Sequence, residues 1–251
     1  MSGHSHWATI RRKKGAADAK KGAIFTRLAR EVVMAAREGG GDPGMNIRLA
    51  MAIERARAQN MPKENIDRAI KKGTGEGKDG VAMEQLYYEG YAGHGVAVMM
   101  ECVTDNRNRT VAEIRHLLSR GGGSMAEAGS VGWQFKKAAC FSFSLEGLEE
   151  DKIFELALEG GADDVNMEDG TAEIIAPVEQ YKNISDRLHA IKVFPDEAGI
   201  RMLPTQDVEI EPEKAVQVMK TIDALEELDD VVNVFNNLKM TDGVIAALES
   251  E

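Results

Sequence analysis

The spacing of apolar side chains changes character once along the chain, near residue 80, and that change sets the expected architecture. Residues 1–17 show no apolar period. From Asp18, a suitable N-cap, Ile24, Leu28, Val32 and Ala35 recur at helical spacing on one face. This predicts a helix over 18–38, stopped by Gly39-Gly40-Gly41. A second helix is expected over 46–59, and a third opens with Pro62 at its first position and closes at Gly73. The glycine-rich segment 73–80 reads as a linker.

Beyond Gly80, short apolar runs alternate with helical periods, the pattern of α+β domains. Strands are predicted over 85–90, 96–103 and 130–135, with a helix over 110–119. Far downstream follow a strand over 207–210, a helix over 213–228 and a strand over 231–235. Between these sets lie a strand over 140–145, a helix over 151–158, strands over 164–167 and 171–176 joined by the turn Glu168-Asp169-Gly170, a helix over 178–191 and a strand over 200–203. That inner set is a complete βαββαβ unit. The pattern predicts an α+β chain: a three-helix domain with arm and linker over 1–80, and a ferredoxin-like sandwich split over 81–136 and 205–251. A second ferredoxin-like sandwich over 137–204 is inserted into the first, which is tolerated because domain termini often lie close together.

Composition adds little to this picture. The apolar runs are too short to cross a bilayer and the first residues lack the apolar core of a secretory signal, so a cytoplasmic protein with no membrane partner is expected. Cys102 and Cys140 stand alone, which predicts buried strand residues rather than a disulfide or a thiolate metal site.

Charge changes the picture more. The net formal charge is −11, but the first 80 residues hold 17 Lys and Arg against 9 Asp and Glu, so the remainder carries −19. A basic unit on an acidic body points to a polyanionic partner, either DNA or the rRNA and tRNA of the ribosome. The candidate contacts begin with Arg11, Arg12, Lys13 and Lys14 in the arm and continue along the first helix through Lys20, Lys21, Arg27 and Arg30, with Arg37 beyond them. Clustered cations attract phosphates, and arginine forks two phosphate oxygens. Trp7 either stacks on an unpaired base or anchors the arm to the first helix. A second candidate contact is the loop 104–110 (TDNRNRT), where Arg107 and Arg109 stand at the opening of a helix; Asp105, Asn106 and Asn108 there are also good turn and capping residues.

Other chemistry is not encoded in recognisable form. The glycines of 73–80 and 121–123 lack the spacing of phosphate cradles, and His4 near the amino terminus offers at most incidental copper or nickel binding. No nucleophile, base and orienting carboxylate assemble from the sequence. The expectation is therefore no catalytic residue, no metal, no cofactor and no small-molecule substrate. The acidic stretch 223–230 (DALEELDD) reads as a solvated helix face, or as a surface that repels nucleic acid or meets a basic partner protein.

Five segments carry a resemblance: 3–31 (GHSHWATIRRKKGAADAKKGAIFTRLARE), 60–76 (NMPKENIDRAIKKGTGE), 88–116 (YEGYAGHGVAVMMECVTDNRNRTVAEIRH), 129–135 (GSVGWQF) and 222–237 (IDALEELDDVVNVFNN). With these the sequence resembles the YebC/PmpR family of probable transcriptional regulatory proteins, whose mitochondrial relatives are translational activators of cytochrome oxidase. His6 departs from the lysine usual there, which removes one charge from the arm. The resemblance implies a helical N-terminal domain followed by two α+β domains, and no catalytic activity. It implies either DNA-binding regulation of transcription, or action at the ribosome that eases stalls at proline-rich stretches.

Overall fold

A computed structural model of the chain describes residues 18–75, 84–168 and 170–250, with side chains from residue 25 onward. Helices α1 (Asp18–Gly39), α2 (Ile47–Ala58) and α3 (Lys63–Gly73) form the first unit. Its core joins Leu28, Val32, Val33, Ala35 and Ala36 of α1 to Leu49, Ala52, Ile53 and Ala56 of α2 and to Ile66 and Ala69 of α3. Gly73 lies so close to α1 that a Cβ there would stand 2.4 Å from the Val33 carbonyl oxygen.

Buried Asn46 fixes the turn between α1 and α2. Its carboxamide oxygen accepts from Leu49 N–H at 3.0 Å, while its amide donates to the carbonyls of Ala35 at 2.7 Å and Gly40 at 2.8 Å. Removing it leaves one donor and two acceptors in need of partners, so Asn46→Ala is expected to cost about 2–3 kcal/mol in chemical denaturation.

The first sandwich comprises β1 (Glu84–Tyr91), β2 (Ala97–Thr104), α4 (Arg107–Arg120), β3 (Ser124–Met125) and, after a long excursion, α7 (Pro212–Glu226), β8 (Val231–Asn236) and α8 (Asp242–Glu249). Its antiparallel sheet has the order β3-β1-β2-β8. The excursion builds the second sandwich from β4 (Phe135–Ser144), α5 (Glu150–Glu159), β5 (Asp164–Glu168), β6 (Thr171–Ala176), α6 (Tyr181–Ala190) and β7 (Glu197–Pro204). There the order is β5-β6-β4-β7, again antiparallel throughout, which is the ferredoxin-like arrangement of a βαββαβ unit. The first sheet has the same spatial plan, with one inner position filled by β1, the strand that comes first in the chain. The α+β fold of three helices and two ferredoxin-like sandwiches, one inserted in the other, is thus the one the periodicity predicts.

β2 is largely apolar on both faces because both are covered, with Glu101 the charged exception, accepting from Asn233 at 2.7 Å. Val98, Met100 and Cys102 point into the core under α4 and α7, while Ala97 and Met99 face a cluster with Val131 and Phe135, and Val103 meets Met34 of α1. Cys102 and Cys140 are buried in β2 and β4, and burial pushes their thiols up to about 12 and about 11. Both should resist iodoacetamide at neutral pH until the protein is unfolded.

Two strand expectations are corrected. Residues 130–135 form no strand of the first sheet, because the Glu89 carboxylate draws the N–H groups of Gly129 (2.8 Å), Val131 (2.5 Å) and Gly132 (2.9 Å) towards itself. Those donors are lost to any ladder, so the sheet edge is the two-residue β3, and Phe135 instead opens β4 of the other sheet. The strand expected over 207–210 shrinks to a single parallel bridge between Val208 and Leu238. Helix α8, which the sequence pattern does not predict, is eight residues long; Val244 and Leu248 are buried in the core and Ile245 and Ala247 are partly buried against it. No helix among the described residues is long and apolar enough to cross a membrane.

Candidate nucleic-acid interface

The cations read from the sequence separate into two groups once they are placed. Trp7, Arg11, Arg12, Lys13 and Lys14 lie outside the described residues, and Lys20 and Lys21 belong to α1 without described side chains. Arg27, Arg30, Arg107 and Arg109 are described, and each is bonded to the chain itself.

The centre of these bonds is Asp230, just before β8. Its side chain is 1% exposed. Arg109 donates to it from Nη2 at 2.7 and 3.0 Å and from Nε at 3.2 Å, and Arg30 of α1 donates at 2.5 Å. Thr104 and Thr110 add their hydroxyls at 3.0 and 2.8 Å, so β2, α4 and α1 all converge on one carboxylate. Burial alone would raise its pKa, but the bonds from Arg109, Thr110 and Thr104 and the charge of Arg30 prevail and hold it below the usual aspartate value.

The neighbouring groups complete the tie. Arg30 also donates to the Asp229 carbonyl at 2.6 Å, Arg27 bonds the Glu226 carbonyl, and Arg109 reaches Asp105 at 2.8 Å. Arg107 is paired with Glu84 at the surface. The loop 104–110 thus performs the capping role weighed for it, since the Asn106 side chain accepts from Arg109 N–H at 3.1 Å at the start of α4. An open depression of about 520 Å³ beside Asp230 is lined by Asp105, Glu113, Glu227 and Asp229 as well as the two arginines, a setting that repels phosphate.

A second tie holds the helical unit to the inserted sandwich. Arg55 of α2 donates to Glu31 at 3.1 Å and to the Ala198 carbonyl of β7 at 3.3 Å, while Tyr181 of α6 donates to Glu54 at 3.3 Å. Met51 of α2 packs into the sandwich's own core.

Cations whose side chains are bonded to no described residue lie elsewhere on the helical unit. Arg57 in the last turn of α2 and Lys63, Arg68, Lys71 and Lys72 of α3 are exposed, and their side chains make no hydrogen bond or ion pair to a described residue. Arg68, Lys71 and Lys72 stand at i, i+3 and i+4, on the side of α3 away from the buried Ile66, Ala69 and Gly73. These residues were not among the sequence candidates, although the spacing of Arg68, Lys71 and Lys72 is visible in segment 60–76 once charge is read at helical period. The pairing of Arg30 with Asp230, which are 200 positions apart, has no local signal.

A bipartite architecture results: a helical unit with exposed cations on its third helix, tied to one ferredoxin-like sandwich by the Arg30–Asp230 ion pair and to the other by hydrogen bonds and the packing of Met51. The domain models described as the TACO1/YebC protein N-terminal domain and the TACO1/YebC second and third domain match residues 5–76 and 83–238. The chain belongs to the TACO1/YebC family. A probable transcriptional regulatory protein of Syntrophobacter fumaroxidans is 48% identical over 98% of each chain, and one of Nitrosococcus oceani is 47% identical over 99% of this chain and all of its own. The crystal structure of a conserved hypothetical protein from Aquifex aeolicus, 40% identical, superposes with a TM-score of 0.81 over 90% of this chain and 93% of that one. The names of these relatives support the label of regulator for this chain.

Proposed function

We propose that the protein is a non-catalytic, cytoplasmic regulator of gene expression that binds nucleic acid through its basic helical unit, and that it acts as a DNA-binding transcriptional regulator. The observation that carries this reading is the set of exposed cations Arg57, Arg68, Lys71 and Lys72, whose side chains have no hydrogen-bond or ion-pair partner among the described residues, on a unit tied to an acidic body. Free cations are available to replace counterions on a phosphate backbone, whereas cations bonded to internal carboxylates are not. The arm residues Trp7 and Arg11 to Lys14, with Lys20 and Lys21, extend the same charge along the chain. The transcriptional reading draws on the names of the relatives.

A second reading, action on rRNA or tRNA at the ribosome with relief of stalls at proline-rich stretches, is favoured by Trp133. The residue is 73% exposed, and its indole N–H donates to the Ser130 carbonyl at 2.9 Å, so the ring is held where an unpaired base can stack. Duplex DNA offers no such base. Equilibrium binding separates the two readings. Affinity for promoter DNA that survives a large excess of random duplex is expected for a transcriptional regulator. Loss of all duplex binding to competitor, together with cosedimentation with ribosomes that fails in Trp133→Ala, replaces that reading with the ribosomal one.

A further inference from the structure

Helix α5 of the inserted sandwich has two sides that serve different purposes. Ile153 and Ala157 point into the core beneath it and are fully buried. On the solvent side Phe154 and Leu158, one turn apart, are 52% and 65% exposed. Apolar side chains this large at i and i+4 form a continuous patch on a helix, and no packing within the described residues accounts for it.

Three carboxylates border the patch. Glu150, Asp151 and Glu155 flank it, all exposed and none bonded to a described residue, while Lys152, on a different side of the helix, is paired with Glu149 at 2.8 Å. First-turn acids suit the helix dipole, which explains Glu150 and Asp151 but not Glu155 in mid-helix. From β4 through β7, residues 135–204 hold 15 Asp and Glu against 7 Lys and Arg. Glu150, Asp151 and Glu155 on a sandwich of net negative charge repel nucleic acid and attract a cationic polypeptide.

We propose that the Phe154–Leu158 face of α5 docks a basic protein segment, one that offers apolar side chains to the patch and Lys or Arg to Glu150, Asp151 and Glu155. The helical unit then holds nucleic acid while the inserted sandwich holds a basic protein. This is the complementary pair that a nucleoprotein presents, and a central apolar anchor within a charged rim is how such interfaces are built.

Fluorescence anisotropy on the full chain tests the proposal with three labelled 14-residue peptides: an amphipathic Lys/Leu helix, its Glu/Leu counterpart and oligolysine. The Lys/Leu peptide is expected to bind at least tenfold more tightly than oligolysine, and the Glu/Leu peptide not to bind. Phe154→Ser/Leu158→Ser should weaken the Lys/Leu complex at least tenfold, as should Glu150→Gln/Asp151→Asn/Glu155→Gln, which keeps the apolar pair and serves if the serine variant does not fold. A photo-crosslinking phenylalanine analogue replacing Phe154 in cells should form adducts on Lys/Arg-rich segments of another protein. Unchanged affinity in both variants, equal affinity for oligolysine, or adducts only to nucleic acid, to a second copy or to this chain's own residues would overturn the proposal.

Discussion

Asp230→Ala is expected to lower unfolding free energy by about 2–3 kcal/mol and, before global unfolding, to free the helical unit from the first sandwich. Breaking a buried ion pair by removing one member typically costs about 3–5 kcal/mol. The lower figure applies because Arg109 is 42% exposed and Arg30 17% exposed, so both can turn to water when their partner is lost. What is lost with the carboxylate is the group on which β2, α4 and α1 converge; Thr104 and Thr110 retain a bond to each other at 2.9 Å. Limited proteolysis should separate the helical unit from the rest of the chain sooner in the variant than in the parent, and denaturant titration should report the loss.

The same group sets a pH signature. Because the folded protein holds Asp230 below the ordinary aspartate value, the carboxylate stabilises the fold fully above that value, about 4, and the contribution disappears as pH falls through the depressed folded value. The stability difference between parent and Asp230→Ala should therefore be constant from neutral pH down to about 5 and shrink at more acidic pH. A difference that vanished near pH 7 would contradict the assignment of the tie to a charged Asp230.

The second large effect is on binding. Arg68→Ala/Lys71→Ala/Lys72→Ala removes three unpaired cations from one face of α3. If each neutralises one phosphate, the slope of log affinity against log salt should become shallower by roughly 2.7 on duplex DNA, or about 2.1 on a single strand. Affinity at low salt should fall by about one to two orders of magnitude. Stability should change by less than about 1 kcal/mol, since these exposed side chains complement the C-terminal dipole of α3 and make no hydrogen bond or ion pair to a described residue. The matching substitution Arg109→Ala should behave in the opposite way, costing stability with little change in salt slope.

Much of the fold was legible because its signals are local. Ile24 to Ala35 mark α1 by period alone, Pro62 and Gly73 bracket α3, and the inner βαββαβ unit is readable from alternating runs and the turn at Gly170, whose φ is +73°. The strand expected over 130–135 failed because Glu89, some forty residues earlier, captures the backbone donors of that segment through its side chain. A propensity reading has no access to that competition. The cationic stripe on α1 was legible as charge but not as use. Arg27 and Arg30 look like phosphate contacts until the acidic stretch 223–230 folds against them, and part of that stretch, far from being a solvated face, supplies the buried Asp230. The free cations of α3 were equally visible in the sequence, but nothing in one chain says which arginines its own carboxylates will claim.

The central claim is that the helical unit grips nucleic acid through cations its own fold leaves unpaired. Ultraviolet crosslinking in living cells, followed by quantitative recovery and sequencing of the attached DNA and RNA, tests it most directly. Nucleic acid well above background from the parent, reduced about tenfold or more in Arg68→Ala/Lys71→Ala/Lys72→Ala at equal protein level, is the predicted result. Recovery no greater than background from the parent, or equal recovery from the triple variant, would contradict it.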